Sequence, residues 1–404
     1  MRRPPNVVEG PPDGDGAGNE FRMFVLDEAA LEARRRGADV IQLTLGLSDL
    51  QPRAEILNAI GSTTYDPLSA RRVCPAGLPE LRQCLSQYYA ESCGASIPFD
   101  RILVDAGTSS IFRNLFQIIS RPGDEVLLPL PYYPLYRFSA TLNGLTCRYY
   151  PINLETMRPD VEAIANGITE HTQAVVLNSP GNPLGNVISQ ADLEQILAIV
   201  PPDVYLIADE VYDNIHFSDD GRAMVTTLLS DPAWQSRIIL TNSFSKGYRM
   251  YTRRVGWCVL PEEIVRPMTI IQQHTRLTVD PAVQQGAIAA LQHRQDVSAV
   301  KATHQARWEY ARCKLSNVPD MHLLPASGGF YCMLDCRQFI ANHQVPNCLN
   351  LALDVLERVG VATVPGADFG LPGMLRLSFT SERFNEGTDR LHSYFAVKAE
   401  ASAA

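Results

Sequence analysis

Apolar residues in this chain recur with two periods, and the two periods divide it. Short runs of Ile, Val, Leu and Ala bounded by turn formers, at residues 102–104, 125–128, 174–177, 204–208 and 238–240, read as buried strands. Residues 21–36 instead set Met23, Phe24, Leu26, Ala29, Ala30 and Ala33 on one helix face, before a short strand at 41–45 that ends on Gly46. Pro79 can open a helix that runs through Leu85 to Tyr89, and residues 111–119 carry another. Strands alternating with helices over residues 100–260 predict an α/β fold around a mainly parallel central sheet, covered on both faces. Beyond about 262 the spacing turns helical as far as 315, which predicts a long connecting helix. Shorter strands at 329–334 and 374–379 then predict a smaller α+β domain. The resulting division is a disordered arm over 1–20, a segment 21–45 that joins the small domain, a large domain 46–285 and a small C-terminal domain 286–404.

Composition narrows the function. In 404 residues, 46% of them hydrophobic, there is apolar material for two cores. A balance of 35 basic against 44 acidic residues, net −9, argues against nucleic acid or a membrane surface as partner. The nine cysteines are odd in number, scattered from Cys74 to Cys348, and contain no CxxC pair. They fit neither a disulfide framework nor a metal site and imply a reducing, cytoplasmic setting. The basic start at Arg2-Arg3 runs into a Gly/Pro/Asp tract where a signal peptide needs apolar residues, and no apolar run reaches membrane-spanning length.

The candidate chemistry lies just past strand ends, on the sheet edge where open α/β folds bind ligands. The turn Gly107-Thr108-Ser109-Ser110 leads into a helix and can be either an anion site or an ordinary N-cap. Tyr132, Tyr133 and Tyr136 follow the strand at 125–128; their rings can stack on a planar ligand or close a core. The rigid loop around Asn182-Pro183-Leu184-Gly185 can aim one amide, and Asp209 and Tyr212 place an acid and a phenol three residues apart. Lys246 lies in Ser243-Phe244-Ser245-Lys246, directly after the apolar run 238–240.

In this order, Asn182, Asp209, Tyr212, Ser243-x-Ser245-Lys246, Arg254 and Arg376-Leu377-Ser378-Phe379 resemble the class I/II aminotransferases of the pyridoxal 5'-phosphate (PLP) fold type I, over nearly the whole chain after residue 20. The resemblance implies that Lys246 forms a Schiff base with PLP and then moves the substrate's α-proton. It implies that Asp209 pairs with the pyridine nitrogen, that Asn182 and Tyr212 hydrogen-bond the phenolic oxygen, and that Tyr133 stacks on the ring. Ser243, Ser245, the turn Gly107-Thr108-Ser109 and Arg254 would hold the phosphate, while Arg376 and the backbone at Gly46 would take the substrate carboxylate. The implied protein is a homodimeric, cytoplasmic enzyme transferring an amino group from an amino acid to a 2-oxo acid. The fold also hosts elimination, replacement, cyclisation and carbon–carbon bond formation.

Two features depart from the family pattern. Thr252 stands where glycine is common, flanked by Arg249, Tyr251 and Arg253, and the tyrosine that reaches the neighbouring subunit's phosphate falls on Arg72, with Tyr65 the other possibility. If Arg71, Arg72, Arg249 and Arg253 face the cleft, they predict an anionic or nucleotide-bearing co-substrate; the other reading is that they pair with surface carboxylates or with the PLP phosphate.

Overall fold

The computed structural model describes residues 21–217, 228–229 and 231–403, so the arm over 1–20 lies outside the described residues. After the short strand β1 (Ile41–Gln42), the chain builds a seven-stranded sheet from β2 (Ile102–Asp105), β3 (Glu125–Leu130), β4 (Thr146–Pro151), β5 (Thr172–Asn178), β6 (Tyr205–Asp209), β7 (Ile238–Ser243) and β8 (Gly256–Val259), in the order β2-β8-β7-β6-β5-β3-β4. The run β4-β3-β5-β6-β7 is parallel. β8 runs antiparallel to both its neighbours, since no helical crossover separates it from β7. Alternation sends Leu127, Val175, Leu177, Leu206 and Leu240 into one core and Val126, Leu128, Val176, Ile207 and Ile239 into the other. Burial on both faces is why these strands read as unbroken aliphatic runs. The register sets Asn178 opposite Asp209 and Asp209 opposite Thr241, so the carboxyl ends of β5, β6 and β7 finish together.

A smaller antiparallel sheet comprises β9 (His322–Leu323), β10 (Tyr331–Asp335), β12 (Val364–Pro365) and β13 (Met374–Ser378), while β11 (Val361–Ala362) pairs with β1. Cys332, Leu334, Leu375 and Leu377 enter a separate core with Leu26 and Ala30 of the helix Arg22–Arg35. The opposite face of β10 and β13 turns Tyr331, Met333 and Met374 into the core of the large sheet. Alternation therefore aims Arg376 the same way.

The predicted long connecting helix is three helices, Glu262–Thr275, Pro281–Gln292 and Val297–Leu315. The first break falls where Leu277 takes φ 68 and Asp280 caps the next helix through Ala282 N–H at 2.8 Å, with Pro281 in its first turn. Among the described residues no helix is long and apolar enough to cross a membrane.

Candidate active site

The carboxyl ends of β6 and β7, the turns after β2, β3 and β5, and the face of the small sheet close around a cavity of about 220 Å³. Every predicted site residue lines it except Gly107, which lies directly beneath Arg254.

Asp209, the last residue of β6, forms the floor and is 2% exposed. Its Oδ2 accepts from the Tyr136 hydroxyl at 2.6 Å, and Oδ1 from Val211 N–H at 3.4 Å. Burial pushes its pKa up to about 6, and these hydrogen bonds and the Lys246 charge offset that only in part. The carboxylate is thus underpaired for its depth and suits a cationic N–H facing it from the cavity.

Lys246 follows β7 in a loop, its Nζ donating to Gly46 O at 3.2 Å. The amine lies 5.5 Å from the Tyr212 ring, 5.8 Å from Phe330 and 5.9 Å from Tyr251, an aromatic surround. Tyr251 is itself pinned by Ser48 N–H at 2.6 Å.

At the rim, the helix Thr108–Ile119 starts earlier than its sequence pattern suggests, so Thr108 and Ser109 occupy its first turn, where backbone N–H groups lack helical acceptors. Ser243 Oγ is 2.9 Å from Ser245 Oγ and accepts from Ser245 N–H at 3.0 Å. Arg254, exposed and in the left-handed region at φ 53, donates from Nη1 to Tyr251 O at 3.0 Å. A Cβ on Gly107, itself at φ 81, would come within 2.6 Å of Arg254 Nη2; the glycine admits the guanidinium to the helix N-terminus. Hydroxyls, free N–H groups and a guanidinium converging on one point form a cradle for a dianion such as phosphate.

The far wall belongs to Arg376 on β13, which is 3% exposed. Nη1 donates to Asn182 Oδ1 at 3.0 Å and Nη2 to Thr44 O at 2.6 Å, while the guanidinium stands 4.1 Å from the Tyr331 ring centre and 4.7 Å from that of Phe369. Its Nε has no hydrogen-bond partner among the described residues, a buried donor awaiting an acceptor. Phe21 and Met23 complete this wall. They are held because Asp368 accepts from Arg22 N–H at 3.1 Å and Met23 N–H at 2.9 Å, capping the first helix from across the chain.

The four arginines expected at the rim do not line the cavity. Arg249 is buried against Asp296, Arg72 pairs with Glu80 at 2.9 Å, and Arg71 and Arg253 are exposed elsewhere. Neighbouring carboxylates take up the charge of Arg249 and Arg72. Tyr65 is 87% exposed, away from the site of its own chain. Sequence reasoning missed Tyr331, Tyr251 and the bond from Tyr136; of these only Tyr136, one helical turn after Tyr133, carried a positional signal.

A sheet-end lysine, a buried aspartate, a cradle of donors suited to a dianion and a buried arginine with an open donor are the features expected of a PLP enzyme of fold type I. Residues 63–391 match the family described as aminotransferase class I and II, and the chain belongs to it. The aspartate/prephenate aminotransferase of Thermus thermophilus is 31% identical, over 89% of this chain and 91% of that one. The asparagine–oxo-acid transaminase of Streptococcus mutans is 29% identical, over 89% and 93%. The solved aspartate aminotransferase of Thermotoga maritima superposes with a TM-score of 0.84 at 27% identity, covering 93% of this chain and 97% of that one. The protein is therefore a PLP-dependent aminotransferase working between amino acids and 2-oxo acids.

Proposed function

We propose that Lys246 is the residue that carries PLP and then moves the substrate proton, with Asp209, Arg254 and Arg376 as its three electrostatic partners. The observation that carries this reading is the underpaired Asp209 carboxylate on the floor of the cavity that Lys246 enters. PLP when bound supplies an electron sink for the α-carbon, and its ring nitrogen must stay protonated for that purpose. Asp209 would pair as the carboxylate with that protonated nitrogen. Tyr136 keeps the carboxylate oriented from below. Asn182 and Tyr212 would hold the ring oxygen, Tyr133 would lie against the ring, and Ser243, Ser245, Thr108, Ser109 and Arg254 would hold the phosphate. Arg376 takes the substrate α-carboxylate on its unpartnered edge, under the backbone of Gly46. Lys246, whose amine donates to Gly46 O, would be the base that takes and moves the substrate's α-proton. Borohydride reduction of the loaded enzyme and peptide mapping should place the pyridoxyl group on Lys246; a label on another lysine overturns the reading.

The working form is a homodimer in this reading, supported by the exposed apolar Leu57, Tyr65, Leu68 and Val73 within one short segment. Sedimentation equilibrium tests it, and a monomer with full activity contradicts it. Residues 46–285 act as the large PLP-binding domain, and 286–404 with 21–45 as the small one. Nine free cysteines support a reducing, cytoplasmic location. The names of the relatives put aspartate and asparagine first among the amino acids to assay.

A further inference from the structure

Tyr331 is absent from the roles above, yet it lies against Arg376, Tyr212 and the backbone of Gly46 beside Lys246. It stands on β10 opposite Ser378, and its diagonal neighbour on the same face of β13 is Arg376. The ring lies against the Arg376 guanidinium, 4.1 Å from centre to Cζ. The hydroxyl is 3.4 Å from the Tyr212 hydroxyl, and it lies beside the Lys246 amine against the backbone of Gly46. Gly46 makes this approach possible: a Cβ there would overlap the Tyr331 hydroxyl and lie 3.2 Å from Lys246 Nζ. The absence of a side chain at position 46 thus has a second use, distinct from the Gly46 carbonyl that also receives Lys246.

We propose that Tyr331 is a positioning residue with two separable parts: its hydroxyl holds the Lys246 amine at the point where that amine gives and takes the proton, and its ring holds Arg376 flat for the incoming carboxylate. The proposal rests on the assignment of Lys246 and Arg376 above. No bond to the hydroxyl is made or broken; it accepts from the lysine when that is an ammonium and donates to it when it is an amine. The ionisable groups facing it are Lys246 and Tyr251 from the loop after β7, Arg376 from β13, Tyr212 after β6 and Tyr133 after β3. Burial raises the pKa of Tyr331, but the charges of Lys246 and Arg376 and hydrogen bonds from Tyr212 and Lys246 bring it below the ordinary tyrosine value. Tyr212, equally buried, is pushed far up, first by burial and then by the charge of Tyr331. The charges of Lys246 and Arg376 thus favour Tyr331 as an acceptor facing the lysine.

The test uses the holoenzyme with Tyr331→Phe, Tyr331→Ala and Gly46→Ala. It reads the pH midpoint of the bound cofactor's visible absorbance without substrate, and then kcat and KM. Tyr331→Phe keeps the ring. It should move the midpoint by about one pH unit, the worth of one hydrogen bond to a charged group. It should also lower kcat by about tenfold to a hundredfold while KM stays within about twofold. Tyr331→Ala should add about a tenfold rise in KM by removing the stack on Arg376. Gly46→Ala, which displaces the hydroxyl without deleting it, should reproduce the midpoint shift of Tyr331→Phe. A Tyr331→Phe enzyme with wild-type midpoint and kcat overturns the proposal, as does one whose KM rises as far as that of Tyr331→Ala. Should Tyr331→Ala fail to fold, the other two variants still decide. With Lys246 confirmed as the labelled lysine, a silent Tyr331→Phe refutes this inference alone; a label elsewhere refutes the underlying assignment and this inference with it.

Discussion

The two arginines of the cavity are held in opposite ways. Arg376 stands on a strand, buried, sandwiched between the Tyr331 and Phe369 rings and bonded to Asn182 and Thr44 before any ligand arrives. Arg254 stands on a loop residue in the left-handed region, exposed, with its Nη1 on the Tyr251 carbonyl. On the roles proposed for them, the difference follows the lifetime of the ligand each would bind. A substrate that enters and leaves in every turnover gains affinity from an arginine already fixed, because no side-chain entropy is lost at binding. A resident phosphate can order its own arginine once, since that cost is not repeated.

Asp209 lies beneath both arginines, and its loss is the most damaging test of the site. Asp209→Asn should leave PLP bound yet slow single-turnover α-proton removal severely, by comparison with the ~10⁴-fold cost of the corresponding change in a protease triad. Near-normal stopped-flow rates would show that the ring nitrogen has another partner. Arg376→Ala should raise KM for amino acids by an amount equivalent to about 2–5 kcal/mol, with cofactor affinity little changed. Equal losses of both would erase the contrast between the arginines.

The cofactor-free enzyme should also show a pH signature. Asp209 has its folded-state pKa raised from 3.8 to about 6. A raised carboxyl value means that the folded state binds the proton more tightly than the unfolded one. Its stabilising effect is therefore complete below about pH 4 and lost as pH rises through about 6, a change of about 3 kcal/mol. Denaturant melts of apo wild type and apo Asp209→Asn across that window should diverge as pH rises, the variant becoming the more stable; parallel curves would contradict the burial argument. The smallest effect is expected of Arg254→Ala: PLP affinity about tenfold to a hundredfold weaker by equilibrium dialysis, with KM for amino acids in the saturated enzyme nearly unchanged.

The contrast between the arginines extends to what the sequence makes legible. Asp209 and Lys246 are readable because each follows an aliphatic run buried on both faces, so the run's end marks the sheet edge. Tyr331 is not readable, because its place depends on which face of β10 meets the large sheet. The antiparallel register with β13 decides that, and a one-residue slip would turn the ring into the other core. β4 escaped because its outer residues alternate between exposed and half-buried at the sheet edge, and β8 because four residues beginning with glycine make a weak pattern. Of the two readings the arginine cluster left open, Arg249 and Arg72 follow the second, pairing with Asp296 and Glu80; charge counts alone say nothing about such partners.

The capping of the first helix by Asp368 has a consequence in time. Arg22 and the carboxylate that fixes it are 346 residues apart in the chain. At ribosomal speeds of roughly 5–20 residues per second, roughly 20–70 s separate the synthesis of the two. The last strand of the large sheet ends at Val259, so for roughly 5–20 s before residue 368 is made Asp209 and Lys246 can already stand at the sheet edge while the wall of Phe21 and Met23 lacks its anchor. The cofactor's floor is therefore made well before the substrate's wall. A nascent chain stalled short of residue 368 can offer PLP an open shelf, but not a closed site.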